Sequence, residues 1–173
     1  FSAIRPNPVA ANVADGIAAL RAGNHDGVIC MGGGSALDAG KVIAFMAGQT
    51  RPMWDFEDIG DWYLRADPKG ILPNICIPTT AGTGSEVGRA GVITDEATHT
   101  KKVIFHPLMM PKVTICDPAL TAGMPPVITA GTGITVALTA FRSSPELARP
   151  QDQRVIQHAT ILKVIQQCGK RAV

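Results

Sequence analysis

No stretch of this 173-residue sequence approaches the roughly 20 consecutive apolar residues needed to cross a bilayer. Residues 1–8 also lack the charged-then-apolar order of a signal peptide. No membrane partner is expected, and the cytoplasm is the default compartment. Neither charge sign dominates: 16 Lys and Arg stand against 14 Asp and Glu, a formal net charge of +2. A nucleic-acid partner would call for a far more basic chain, so none is expected. Cysteines are few. Cys30, Cys76, Cys116 and Cys168 are far apart, with no C-x-x-C pair, and the first three close short apolar runs. They read as reduced thiols packed in strands.

What is present is enough apolar material for a core. Hydrophobic residues make up 46% and charged ones 17%, so the chain is neither disordered nor low in complexity. The length suits one domain or slightly more. The 18 glycines include two short clusters and form no repeat, which excludes a collagen-like or linker role.

Asn7-Pro8 reads as an N-cap with proline in the first helical position, and Val9, Val13, Ile17 and Leu20 share one face of a helix over 8–22. Residues 27–31 then form a short apolar run that reads as a buried strand. Gly32-Gly33-Gly34-Ser35 follows. Ser35 and Asp38 have capping-box spacing at the start of a second helix reaching about Ala47. Residues 49–72 have no period and read as a long surface excursion. A second buried strand over 71–77 leads into Pro78-Thr-Thr-Ala-Gly-Thr-Gly-Ser-Glu86. Residues 91–94 and 101–105 read as a hairpin, and 113–116 as a further strand ending at Asp117-Pro118. Strands alternating with helices, with ligand-type loops at strand ends, indicate an α/β fold with an open, mostly parallel sheet, flanking helices and an antiparallel hairpin.

The first glycine cluster joins a strand to a helix, where unpaired backbone N–H groups meet the positive end of the helix dipole. Such a junction suits a phosphate, while its structural alternative is a tight turn. The dinucleotide fingerprint G-x-G-x-x-G fails here because Leu37 stands where glycine is needed, and the P-loop pattern fails at Ser35 and Val42. Judged locally, Asp38 reads as a cap and Lys41 as a helix-face residue. The second loop concentrates Thr79, Thr80, Thr83 and Ser85 directly after a strand, offering several hydroxyls to a polar ligand. On one open sheet both loops face a common crevice.

Together, Gly-Gly-Gly-Ser-x-x-Asp-x-x-Lys at 32–41, Pro-Thr-Thr-Ala-Gly-Thr-Gly-Ser-Glu at 78–86, Lys102, Asp117-Pro118-x-Leu120 and Met124-Pro125-Pro126 resemble the iron-containing (group III) alcohol dehydrogenase family over about residues 1–133. The resemblance implies an NAD(P)-dependent oxidoreductase with an α/β nucleotide-binding domain, a C-terminal helical domain and iron or zinc between them. It implies that Gly32, Gly33, Gly34 and Ser35 hold the pyrophosphate and that Asp38 fixes that loop. Thr79, Thr80, Thr83 and Ser85 would line the nicotinamide side, Lys102 would reach the cofactor ribose, and Asp117 to Thr121, with Leu120 among them, would close the crevice. A small alcohol or aldehyde is the implied substrate.

The metal half departs from the family. Where its Asp and His ligands stand, this sequence has Thr135 or Val136 and Thr139 or Ala140. Asp95 and His99 have i, i+4 spacing but lie in a charged turn that suits a solvated role. The expectation is therefore residues 1–133 as part of a nucleotide-binding domain, 134–173 as an atypical, helical tail, no C-terminal metal-binding domain, and no turnover by this chain alone. Residues 141–173 carry 6 basic and 2 acidic side chains against 10 and 12 in residues 1–140. Val155-Ile156, Ile161-Leu162 and Val164-Ile165 allow an amphipathic helix in that tail. An α/β half without its partner domain would expose apolar surface and self-associate. Two other functions remain open, a lyase resembling dehydroquinate synthase and a non-catalytic nucleotide-binding fragment.

Overall fold

The computed structural model describes residues 1–142. Along the chain come α1 (Ala10–Ala22), β1 (Val28–Gly32), α2 (Gly34–Met46), β2 (Asn74–Pro78), β3 (Ala90–Asp95), β4 (Thr100–Phe105), β5 (Val113–Thr114) and α3 (Pro126–Arg142), joined in part by short 3-10 turns. β1, β2 and β5 form a parallel sheet in that order, with Cys30 opposite Cys76, Gly32 opposite Pro78 and Ile75 opposite Val113. β3 and β4 form a separate antiparallel hairpin, with Ile93 opposite Lys102 and Thr94 opposite Lys101.

The second helix is the centre of this arrangement. Ala39 through Met46 are all buried, as is Leu37, because α2 has the sheet on one side and the hairpin on another. Glycine permits both approaches. A Cβ added at Gly40 would lie 2.4 Å from Cys30 Sγ, and one added at Gly91 would lie 2.7 Å from the Asp38 carbonyl oxygen. The main core gathers Val13, Leu20, Val42, Phe45, Phe56, Ile93, Ile104 and Met109 around that helix. Phe45 meets Phe56 edge to face, with ring centroids 5.0 Å apart, a geometry that aromatic quadrupoles favour.

Several sequence expectations are corrected. Asn7-Pro8 does not cap α1. Asn7 adopts φ +54°, Val9 bridges to Thr94, and Thr94 donates its N–H to the Pro8 carbonyl at 2.7 Å, so this segment is held in β3's company and the helix begins at Ala10. The cap is made instead by the Asn12 side chain, which accepts from the Val9 N–H at 3.1 Å.

The first strand is buried on one face alone. Cys30 points into the core beside α2, whereas Ile29 and Met31 are 68% and 56% exposed, because α2 covers a single face of β1. Residues 49–72 are also more than a surface excursion: Phe56 is fully buried, and Met53, Trp54, Ile71 and Leu72 pack against the core. Their 3-10 turns carry neither a helical nor a strand period, which hid this burial from pattern reading. β5 ends at Thr114, leaving Cys116 exposed beyond it instead of packed in a strand. Cys168 and the amphipathic pattern over 155–165 lie outside the described residues. The expected boundary between 1–133 and 134–173 falls inside α3, which runs through that position.

Candidate functional site

Parallel register sets the site. Gly32 and Pro78 are paired at the carboxyl ends of β1 and β2, so the two glycine-bearing loops leave the sheet side by side. The Thr79 N–H donates to the Gly32 carbonyl at 2.9 Å and ties the loops at their base. Further out they touch. A Cβ at Gly33 would lie 3.3 Å from Thr80 Oγ1, and one at Gly34 would lie 2.7 Å from Thr83 Cγ2. Gly32, Gly82 and Gly84 have φ of +144°, +104° and +68°, in the region where L side chains are strained, so both loops require glycine for their course.

The capping box expected of Ser35 and Asp38 does not form. Gly33 is the N-cap of α2, in extended conformation and with no side-chain cap, so Ser35 already lies within the helix. Its Oγ accepts from the Asn7 N–H at 3.3 Å. The first-turn N–H groups of α2 are thus left without a side-chain acceptor, which leaves the positive helix end available to an anion.

Asp38 does something else. Its Oδ1 accepts from the Ser85 hydroxyl at 2.5 Å and its Oδ2 from the Val92 N–H at 3.1 Å. Lys41, expected on a helix face, is 1% exposed. Its ammonium lies 3.3 Å from Asp38 Oδ1 and donates to the carbonyls of Ser85 at 2.8 Å and of Ala90. Burying an ammonium is costly unless it is paired and hydrogen-bonded. Asp38 and the loop carbonyls supply both, so one helical turn of α2 holds the second loop and the hairpin together.

A cleft of about 560 Å³ opens between these parts. Of the candidate residues, Gly34, Ser35, Asp38, Thr83 and Ser85 line it. Gly32, Gly33, Thr79 and Thr80 form the adjoining loop backbone. Lys102 stands elsewhere. It lies on the opposite face of the hairpin, 3.0 Å from Asp95 Oδ2, 3.8 Å from Glu57 Oε2 and over the ring of Trp54. A hydrogen bond from Lys102 holds the Asp95 carboxyl below its usual range, helped by the Thr98 hydroxyl. Asp117 caps the turn over Pro118–Thr121, its Oδ1 accepting from the Ala119 N–H at 2.9 Å. Neither Asp117 nor Leu120 lines the cleft.

The residues missed by sequence reasoning are Asn7, Thr94 and Lys101, all in the cleft wall. A signal existed for the last. Neighbouring residues of a strand face opposite ways, so Lys101 and Lys102 must diverge. Ile93, paired with Lys102, and Ile104, two residues further along β4, are both fully buried, which directs Lys102 to that side and Lys101 to the other.

Comparison with known proteins gives a consistent family. A family model described as iron-containing alcohol dehydrogenase matches residues 1–118. Alcohol dehydrogenase 4 of Schizosaccharomyces pombe is 37% identical over 147 residues, which is 83% of this chain and 34% of that protein. The 1-propanol dehydrogenase of Citrobacter freundii is 40% identical over 147 residues, covering 83% of this chain and 35% of its own length. Among solved structures, sulfoacetaldehyde reductase from Bifidobacterium kashiwanohense in complex with NAD+ superposes with a TM-score of 0.71 at 38% identity, covering 79% of this chain and 35% of that one. The chain spans about a third of the length of these relatives.

Proposed function

The chain belongs to the iron-containing alcohol dehydrogenase family, and from that premise we propose that its cleft binds the dinucleotide of an NAD(P)-linked oxidoreductase acting on a small alcohol or aldehyde. In this reading residues 1–133 contribute to the nucleotide-binding domain. One observation carries the reading: the uncapped first turn of α2 and the hydroxyl-rich loop after β2 face one cleft.

The N–H groups of Gly34 and Ser35 would hold the pyrophosphate, where the helix dipole and the Ser35 hydroxyl would stabilise its negative charge. Lys101, at the edge of the same cleft, adds an ammonium. Thr80 and Thr83 offer hydroxyls towards the nicotinamide half, and the Asp38–Lys41 pair keeps their loop in register with the glycines. A nicotinamide held there would supply hydride exchange with the alcohol carbon. NAD and NADP both fit this description, as do iron and zinc in the complete enzyme.

The family's metal finds no home in the part described. Among the described residues, no three His, Cys, Asp or Glu side chains converge on one point. No residue here is therefore assigned to a metal, and no step is routed through one. The described residues bind and orient the cofactor. Turnover needs groups from outside them.

Titration of the purified chain with NADH, followed by nicotinamide fluorescence, tests the reading. Saturable binding in the micromolar range, lost in Gly33→Leu, is expected. A chain folded by circular dichroism that shows no saturation would overturn it.

A further inference from the structure

Beneath the two loops lies a feature that cofactor binding does not use. Cys30 and Cys76 are opposite one another on adjacent parallel strands, each two residues before the end of its strand. Both are free thiols, 3% and 0% exposed, facing α2 at Leu37. Neighbouring strands lie about 4.8 Å apart, inside the roughly 4.4–6.8 Å Cα separation that a disulfide spans.

Cys76 Sγ donates to Asn74 Oδ1 at 3.8 Å. The neighbouring Cys76 side chain and burial push the Cys30 thiol up, while the Cys30 side chain pulls the Cys76 thiol down, opposed by burial. A second cavity, of about 300 Å³, is lined by Cys30, Gly40 and Ile43.

We infer that Cys30 and Cys76 are a cross-strand dithiol that hydrogen peroxide converts to a disulfide directly below the nucleotide cleft. Peroxide enters the cavity beside Cys30. The Cys30 thiol gives up its proton to solvent as its sulfur attacks one peroxide oxygen. The O–O bond breaks, an S–O bond forms, and the departing hydroxide takes a proton from solvent. Cys30 is now a sulfenic acid. The Cys76 sulfur attacks it, the S–O bond breaks, and hydroxide leaves as water with the Cys76 proton. Two sulfur electrons have reduced one peroxide to two waters.

Closing the S–S distance to about 2.05 Å shifts this rung of β1 and β2, next to the Gly32–Pro78 pair. Above it, Gly33 and Thr80 are already so close that an added Cβ would lie 3.3 Å from Thr80 Oγ1. Oxidation therefore disturbs the loops and weakens dinucleotide binding. That consequence rests on the function proposed above; the bond itself does not.

The test uses the full chain carrying Cys116→Ser and Cys168→Ser. It is treated with hydrogen peroxide, alkylated under denaturing conditions, digested and analysed by mass spectrometry without reductant. The expected product is a Cys30–Cys76 linked peptide, abolished by dithiothreitol and absent from the further variants Cys30→Ser and Cys76→Ser. Recovery of both cysteines as alkylated thiols, or as separate sulfinic acids, overturns the assignment. NADH titration of the same sample before and after peroxide should give a loss of affinity of about tenfold or more, reversed by dithiothreitol. A linked chain with unchanged affinity overturns the effect on the cleft. Failure of the reduced chain to bind NADH counts against the proposed function alone, since the mass reading does not depend on it.

Discussion

Asp38 and Lys41, one turn apart on α2, hold an Oδ1–Nζ distance of 3.3 Å while both reach off the helix to the second loop and the hairpin after it. Asp38 takes the Ser85 hydroxyl and the Val92 N–H; Lys41 takes the carbonyls of Ser85 and Ala90. Two side chains of a single turn thus bind one loop and one hairpin.

Lys41→Met should therefore destabilise the fold by about 3–5 kcal/mol, the usual cost of breaking a buried ion pair by removing one partner. The methionine fills the aliphatic volume but leaves the Asp38 carboxylate and the loop carbonyls without a cation. Urea denaturation measures the change. A loss under about 1 kcal/mol, typical of a surface pair, would contradict the structural role given to Lys41.

Gly34 is the tightest contact between the loops. In Gly34→Ala the new Cβ would lie 2.7 Å from Thr83 Cγ2, so the loops must part. NADH affinity should fall about tenfold or more, equivalent to roughly 1.4 kcal/mol. Adding Thr83→Ser deletes the clashing methyl and keeps the hydroxyl that accepts from the Ser85 N–H. Partial recovery in the double variant, by the same titration, marks the clash as the cause.

Adjacent lysines give a paired comparison. Lys101→Ala should weaken NADH binding by about tenfold, as expected for a lost charge-assisted hydrogen bond, and the loss should shrink at high salt. Lys102→Ala should change affinity by less than about twofold. Its effect should appear instead at Asp95, whose carboxyl should rise towards its ordinary range when its partner is gone, as followed by carboxyl-carbon NMR. Reversal of the two phenotypes would move the cofactor contact to Lys102.

His106 makes stability depend on pH. Burial holds its imidazole below its ordinary value, its ring stacks on Phe45, and its Nδ1 accepts from the Leu108 N–H at 3.1 Å. The unfolded chain takes up this proton more readily than the folded one. The contribution is accordingly complete above about pH 6.5 and declines as pH falls below it. Urea midpoints between pH 7.5 and 5.5 should show that decline in the parent chain and a flatter profile in His106→Phe.

Much of this molecule is legible in its residue pattern because it depends on local chemistry. The runs at 27–31 and 71–77, each meeting glycines, indicated parallel strands with loops at their carboxyl ends, and the order of motifs indicated the family. The hairpin was legible from two short apolar runs about a polar turn. Asp38 and Lys41 were misread for one reason. Their spacing fits both a cap with an exposed neighbour and an inward-facing pair, and the choice depends on segments more than 40 residues away.

Sequence by itself determined the α/β class, the two loops and the residue types available to a phosphate, since period, turn chemistry and helix starts are set by neighbours along the chain. Tertiary structure alone decided which lysine of Lys101 and Lys102 enters the cleft, because that follows from which face of β4 is buried. It also decided that Phe56 joins the core and that Ile29 does not, since burial depends on what covers a residue. The juxtaposition of Cys30 with Cys76 belongs there too: 46 positions apart, they meet because parallel pairing put β1 and β2 in that register.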